Sequence, residues 1–71
     1  MPYVHVQITR EGGTSAKQKA DVIAGMTRVL EEVLGKDPRT TFVVLEEVEL
    51  ENWGIGGLPV AEYRRAQANG S

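Results

Sequence analysis

A proline directly after the initial methionine is the first residue of this sequence with chemistry of its own. In the stretch MPYVHV, Pro2 stands at the start of a segment in which apolar and polar residues alternate. Proline cannot donate a backbone hydrogen bond and is tolerated at the first residue of a strand, so Pro2 can simply mark a strand start. Removal of Met1 would instead make its ring nitrogen a free secondary amine, which can accept and return a proton. Both interpretations are open from these residues alone.

Two further stretches contain residue types that occur in functional sites. NWGIGG near the end is rich in glycine, but no Lys-Ser/Thr pair and no helix start follow it, so it does not fit a phosphate-binding loop. The acidic run contains Glu46, Glu47, Glu49 and Glu51. Strand alternation sends Glu46 and Glu47 to opposite faces, which predicts a solvated strand end and no carboxylate pair or metal site. The single histidine, His5, is predicted to be a hydrogen-bonded structural residue.

The composition sets limits on the class of protein. The chain has 71 residues, 41% of them hydrophobic and 25% charged, no cysteine and a formal net charge of -2. Disulfides and thiolate metal sites are thereby excluded, and a nucleic-acid partner is disfavoured by the missing basic excess. No apolar run reaches the length of a membrane span and no secretory signal precedes the first strand, so we expect a cytoplasmic protein. A chain this short gains its missing buried area by oligomerisation.

The elements that must position these residues follow from periodicity. Alternation of apolar and polar residues in PYVHVQIT predicts a first strand. Ser15 followed by Gln18 predicts a capping box, so a helix begins near Ala16. The apolar residues of that helix recur at three-to-four spacing, and Gly35 with Pro38 behind it predicts the helix end. One domain over 1–65 and a flexible tail over 66–71 complete the predicted organisation.

A second strand and a hairpin complete the predicted fold. The nearly continuous apolar run from Phe42 to Leu45 predicts a strand covered on both faces. A strand, a helix and another strand form a β-α-β unit whose right-handed crossover makes the strands parallel. The glycines of 54–57 predict a short hairpin, and Pro59 limits any strand beyond it. The fold class is therefore α+β, with a two-stranded sheet that other subunits must complete.

MPYVHV at the start, a β-α-β core and NWGIGG near the end occur together in the 4-oxalocrotonate tautomerase family, which this chain resembles up to about Arg65. The resemblance also includes the Gln18–Lys19 pair in the helix. It implies small β-α-β subunits, usually assembled as hexamers, that use an N-terminal proline as general acid or base without a cofactor. Pro2 takes that role here. Trp53 stands where the family places an aromatic residue beside the proline, although it can equally be a core or interface anchor.

Two positions depart from the family pattern. The family carries an arginine in the loop before the helix cap and another in the middle of strand two, whereas this chain has Gly13 or Thr14 at the first position and Phe42 at the second. Arg10, slightly earlier in the same loop, is the best substitute for binding a substrate carboxylate. Arg39 is a second candidate; both can also be plain surface charges. Because Phe42 makes the pocket more apolar, a monocarboxylate or an aromatic 2-oxo acid is as plausible a substrate as a muconate dicarboxylate.

The predicted function is that of a cofactor-free, metal-free tautomerase that interconverts enol and keto forms of a small 2-oxo acid. Its predicted site consists of Pro2, Arg10, Arg39, Phe42 and Trp53, and its predicted assembly is a homo-oligomer, with a hexamer implied by the resemblance. One alternative is a non-catalytic subunit of a mixed oligomer whose partner supplies the missing arginine. Others are a small-molecule-binding regulator, or a dehalogenase, hydratase or decarboxylase of the same superfamily.

Overall fold

The computed structural model describes residues 1–70 of the chain. Its regular elements are, in order, β1 (Tyr3–Thr9), α1 (Ala16–Leu34), β2 (Phe42–Val48), β3 (Gly54–Ile55), β4 (Leu58–Pro59) and α2 (Val60–Gly70). Short 3-10 helices over Pro38–Thr40 and Leu50–Asn52 flank β2 on either side. Within the described residues, no helix has both the length and the apolar character that a membrane span requires.

β1 and β2 form a two-stranded parallel sheet, and α1 connects them. The register pairs Tyr3 with Phe42 at one end and Thr9 with Val48 at the other. The β-α-β unit with parallel strands is thereby confirmed. Because the strands are parallel, residues that precede them lie at the amino end of the sheet, and residues that follow them lie at the carboxyl end.

Both ends of α1 have the caps that the sequence predicts. The Ser15 hydroxyl accepts a hydrogen bond from the Gln18 N–H at 3.1 Å, and the Gln18 side chain accepts one from the Ser15 N–H at 2.8 Å. These two bonds form a capping box and satisfy two donors that a helix start leaves free. At the other end Gly35 adopts the left-handed conformation with φ 68°, and the Lys36 N–H donates to the Leu30 carbonyl at 3.2 Å.

The two faces of the sheet differ in how they are covered. α1 covers one face, where the inward side chains are the partly buried Val4, Val6, Ile8, Val43 and Leu45. The other face, called here the open face, consists of the exposed residues Tyr3, His5, Gln7, Phe42, Val44 and Glu46. The prediction that β2 is covered on both faces is wrong for the single chain, because the described residues supply one layer of helix against one sheet.

The structure confirms the C-terminal hairpin that the glycine pattern predicts. β3 and β4 pair antiparallel, and the turn between them contains Gly56 and Gly57 with φ of 61° and 84°. Positive φ at both turn residues gives the twist that a two-residue hairpin turn needs. A Cβ at Gly56 would also stand 3.3 Å from the Tyr63 ring, so both the backbone angle and the space favour glycine there.

The second helix is an addition to the predicted elements. α2 begins directly after the hairpin and continues to Gly70, so it includes most of the segment 66–71 predicted as a flexible tail. Residues 66–70 are therefore helical in the structure, whereas the sequence predicts a flexible tail there. Ser71 lies outside the described residues. Arg64 of α2 donates to both carboxylate oxygens of Glu11, at 2.8 and 3.2 Å, and thereby links α2 to the loop after β1.

The single chain has almost no interior. Among the described residues only Val60 is buried, and the accessible surface is 5243 Å². A compact protein of this mass exposes roughly 4400 Å². The radius of gyration is 16.2 Å and the extents are 48 × 23 × 19 Å. A compact domain of this length has a radius of gyration of about 11 Å. The chain is therefore elongated and exposes surface that a globular monomer would bury.

Candidate active site

Pro2 lies immediately before β1, at the amino end of the sheet. Its carbonyl accepts a hydrogen bond from the Phe42 N–H at 3.0 Å, which fixes the proline beside the first residue of β2. Pro2 is half-buried, and the side chain of Phe42 is exposed on the open face. The structure thus brings these two predicted site residues together. Neither of them is charged, so the residue paired with the proline is an apolar neighbour.

Arg10 lies at the opposite end of the sheet. It follows β1, and its N–H donates to the Val48 carbonyl at 2.8 Å, so the backbone pairing continues one residue beyond the strand. Eight residue steps of extended chain lead from Pro2 to Arg10, a distance of about 26 Å at the rise of a β-strand. The two residues predicted to act on one substrate therefore do not meet within one chain.

The guanidinium of Arg10 already has acidic neighbours. Its Nε donates to Glu49 Oε1 at 2.6 Å, and its Nη1 is 3.9 Å from Glu47 Oε1. Glu47 points beneath α1 with only 8% of its side chain exposed, and Lys19 of α1 forms an ion pair with it. The hydrogen bond from Lys19 lowers the pKa of Glu47, and the charges of Lys19 and Arg10 act in the same direction.

The structure corrects one prediction about the acidic run and adds two residues to the surroundings of Arg10. Glu46 and Glu47 do point to opposite faces, as predicted, but Glu47 is a covered ion-pair partner and not part of a solvated strand end. The acidic run by itself does not connect Glu47 and Glu49 with Arg10. The parallel pairing of the strands could have revealed this contact, because it places the residues that follow β2 beside those that follow β1.

Arg39 lies at the same end of the sheet as Pro2, in the 3-10 helix before β2. Its Nε and Nη2 donate to the two carboxylate oxygens of Asp37 at 3.1 and 3.0 Å. These bonds lower the pKa of Asp37 and raise that of Arg39. With 89% of its side chain exposed, Arg39 is a surface residue near the proline whose charge is compensated locally.

Trp53 lies beyond the carboxyl end of β2 and therefore at the Arg10 end of the sheet. It is half-buried and ends the 3-10 helix Leu50–Asn52, with its N–H donating to the Leu50 carbonyl at 3.2 Å. Its carbonyl accepts from the Val60 N–H at 2.7 Å, which ties it to the start of α2. Within one chain Trp53 thus anchors the C-terminal elements and does not adjoin Pro2.

A hydrogen-bonded group occupies the middle of the open face. Glu46 Oε1 accepts from Gln7 Nε2 at 2.8 Å and lies 3.0 Å from His5 Nε2. The bond from Gln7, followed by that with His5, lowers the pKa of Glu46. The prediction of His5 as a hydrogen-bonded residue is confirmed. Its partner comes from the neighbouring strand, at a position that pattern reading alone does not reveal.

The residues of the predicted site therefore form two half-sites at opposite ends of one sheet. Pro2, Phe42 and Arg39 lie at the amino end, whereas Arg10 and Trp53 lie at the carboxyl end. Residues 1–70 of the single chain enclose no cavity that could hold a small molecule. A pocket with both half-sites needs the amino end of one chain beside the carboxyl end of another.

Known proteins resemble this chain over most of its length. The family model described as "Tautomerase enzyme" matches residues 2–63. A probable tautomerase, K2, of Dickeya dadantii is 54% identical over 69 residues, which are 97% of this chain and 100% of that protein. The 2-hydroxymuconate tautomerase of Pseudomonas putida is 37% identical over 65 residues, 92% of this chain and 100% of that protein. The crystal structure of TomN, a 4-oxalocrotonate tautomerase homologue of a tomaymycin biosynthetic pathway, gives a TM-score of 0.80 at 30% identity, covering 93% of this chain and 98% of TomN.

Proposed function

The chain belongs to the tautomerase family, and we propose that it uses Pro2 as the acid and base that interconverts enol and keto forms of a small 2-oxo acid. Members of this family are isomerases. The observation that carries the proposal is the position of Pro2 at the exposed amino end of the sheet, where its carbonyl is held by the Phe42 N–H at 3.0 Å. This bond leaves the nitrogen side of the ring free for chemistry once Met1 has been removed.

The chemistry follows from what a prolyl amine can do in such surroundings. A neutral secondary amine accepts the proton of the enol hydroxyl and returns a proton to carbon, which converts C=C–OH into HC–C=O without any cofactor. An apolar environment lowers the pKa of an amine because it disfavours the charged form. Phe42 beside Pro2 and further apolar surface from another subunit would supply that environment. While Met1 is attached, the nitrogen is an amide and has no basic lone pair.

A complete site requires a second copy of the chain. The 26 Å or so between Pro2 and Arg10 excludes a shared pocket in one chain. A twofold arrangement places the amino end of each sheet beside the carboxyl end of the other and forms two equivalent sites. Each site then receives Pro2 and Phe42 from one copy, and Arg10 and Trp53 from the other. Arg10 binds the substrate carboxylate, and Trp53 supplies an apolar wall. The hexamer implied by the family resemblance is built from such pairs in this proposal.

The substrate we propose is an enolised 2-oxo acid with an apolar remainder. Phe42 stands in strand two where the family resemblance expects an arginine, and it exposes its ring at the proline end. The relatives from Comamonas testosteroni and Pseudomonas putida carry the name 2-hydroxymuconate tautomerase, so a dicarboxylate is the natural comparison substrate. The missing arginine also keeps a second candidate open, a subunit of a mixed oligomer whose partner chain supplies that positive charge.

The test compares the natural protein with a Pro2→Ala variant on phenylenolpyruvate and on 2-hydroxymuconate. Intact mass must first show which material lacks Met1, because only that material has the amine. We expect Pro2→Ala to reduce kcat/KM by at least about a hundredfold, the usual contribution of a positioned acid-base group. Glu32→Ala, on the exposed side of α1, is the matched control for handling and folding. Equal activity of Pro2→Ala and the natural protein would remove Pro2 from the mechanism.

A further inference from the structure

We infer that Glu49 makes this site selective for substrates that carry a single carboxylate, because it compensates the charge of the arginine that binds them. The inference rests on the proposed function only for the role of Arg10 in the substrate site. It assigns to Glu49 a specificity-determining role that the family resemblance does not include.

The pairing of Glu49 with Arg10 is fixed by the sheet. The two residues follow β2 and β1 directly, and the bond from the Arg10 N–H to the Val48 carbonyl at 2.8 Å holds their backbones together. Their side chains meet at 2.6 Å, and each remains about half exposed. Glu49 therefore accompanies Arg10 into any site that a second copy completes, and a ligand can still reach the free edge of the guanidinium.

Charge balance decides what that edge can bind. The cluster contains two cations, Arg10 and Lys19, and two carboxylates, Glu47 and Glu49, so its net charge is zero. Glu47 is largely satisfied by Lys19, which leaves Glu49 as the direct counter-charge of Arg10. A first carboxylate gains hydrogen bonds from the remaining guanidinium N–H groups. A second carboxylate finds no surplus positive charge in this cluster and is repelled by Glu49.

The other half-site has the same property. Asp37 binds the Arg39 guanidinium at 3.1 and 3.0 Å and compensates its charge. The nearby Phe42 presents an aromatic ring to the open face and not a cation. Each arginine of the predicted site thus has its own carboxylate counter-charge, and neither is the unpaired positive charge that a dianion needs. A monoanion with an apolar remainder matches this arrangement better.

The test uses two unreactive probes that differ in one group. trans,trans-Muconate and sorbate share a six-carbon conjugated chain, but the first has two carboxylates and the second has one. We expect the natural protein to bind sorbate at least as tightly as muconate. Glu49→Gln keeps an oxygen that accepts from Arg10 Nε and removes the charge. It should raise the affinity for muconate by about tenfold and that for sorbate by about threefold, since repulsion acts on two charges in one case and on one in the other.

Glu51→Gln is the matched control, because it removes the same charge two residues beyond Glu49. Glu51 itself forms no ion pair in the described part of the chain. Glu49→Ser is a second variant that also removes the charge and keeps the inference testable if Gln disturbs the loop. Equal changes for both probes, no change, or changes that Glu51→Gln reproduces would overturn the inference. Absence of binding for both probes in all variants would overturn it as well.

A failure of this inference is distinguishable from a failure of the proposed function. Probe binding requires no turnover, so the Glu49 experiment reads out even if Pro2→Ala retains full activity. In that case the proton-transfer role of Pro2 fails and the charge selectivity stands. Conversely, loss of activity in Pro2→Ala with an unchanged ratio of probe affinities in Glu49→Gln leaves the proposed function in place and removes the specificity role.

Discussion

A carboxylate placed in the middle of the open face should dissociate the protein into single chains. Val44 lies there, opposite His5 in the strand register, with 44% of its surface exposed in the isolated chain. The chain exposes 5243 Å² in total. This is about 850 Å² more than a compact protein of its mass, close to the roughly 800 Å² that each partner buries in an interface of standard size. Another chain is therefore expected to cover the open face, and Val44→Glu is the perturbation that tests this.

The size of the effect follows from what Val44 still exposes. Complete burial of a valine side chain contributes about 1.5–3 kcal/mol, so the exposed 44% represents about 1 kcal/mol per copy that assembly would add. An unpaired carboxylate at a covered position costs at least about 2 kcal/mol more. The sum of about 3 kcal/mol per copy corresponds to more than a hundredfold weaker association.

The assay is sedimentation velocity over a dilution series in the micromolar range. We expect the natural protein to sediment as an oligomer and Val44→Glu to sediment as a single chain at the same concentration. Ala24→Glu, on the polar side of α1 between Asp21 and Arg28, adds the same charge and is the matched control. An oligomer of unchanged size in Val44→Glu would refute the reasoning, and so would a stably folded single chain in the natural protein.

Two further predictions concern the bonds that position the loops. Ser15→Ala removes the side-chain half of the capping box and should lower the free energy of unfolding in urea by about 1 kcal/mol, whereas a loss no larger than that of Glu32→Ala would contradict the role of the cap. Hydrogen bonds from Arg64, and to a smaller extent from Thr9, lower the pKa of Glu11 to about 2, from an ordinary value of 4.5. Glu11 therefore contributes stability above pH 4.5 that is lost as the pH falls toward about 2. The difference in free energy of unfolding in urea between the natural protein and Arg64→Met should therefore close over that range. A difference independent of pH would contradict the pairing.

The regular elements around α1 could be predicted because their signals are local. Alternation in β1, the Ser15–Gln18 box and the Gly35 cap each depend on residues a few positions apart, and all three are present in the structure. α2 was obscured by its small polar residues, although Ala, Glu, Arg and Gln in AEYRRAQA are good helix formers. α2 is attached to the loop after β1 by the contact between Arg64 and Glu11. These residues are far apart in the sequence, so no local pattern predicts the contact.

The candidate site was predictable only in part, for a topological reason. Pro2 could be selected from its residue type and Phe42 from its position in the family pattern, and the structure places them side by side. The distance between Pro2 and Arg10 follows from the strand direction. Comparison with a family motif, however, identifies site residues and does not say which copy of the chain contributes each of them. The neighbours of Arg10 depend on the strand register, and the acidic run by itself gave no reason to assign Glu49 to that arginine.

The separation of Pro2 and Arg10 at opposite ends of one sheet has a consequence for how such a protein can diverge. If each site takes its proline from one copy and its arginine from another, the two products of a duplicated gene need not both keep both residues. One descendant can lose the arginine and the other the proline, while every second site of a mixed assembly stays complete. A replacement such as Phe42 at the proline end is then tolerable in one copy for as long as its partner preserves the missing function, and the altered half-site is free to acquire a new substrate.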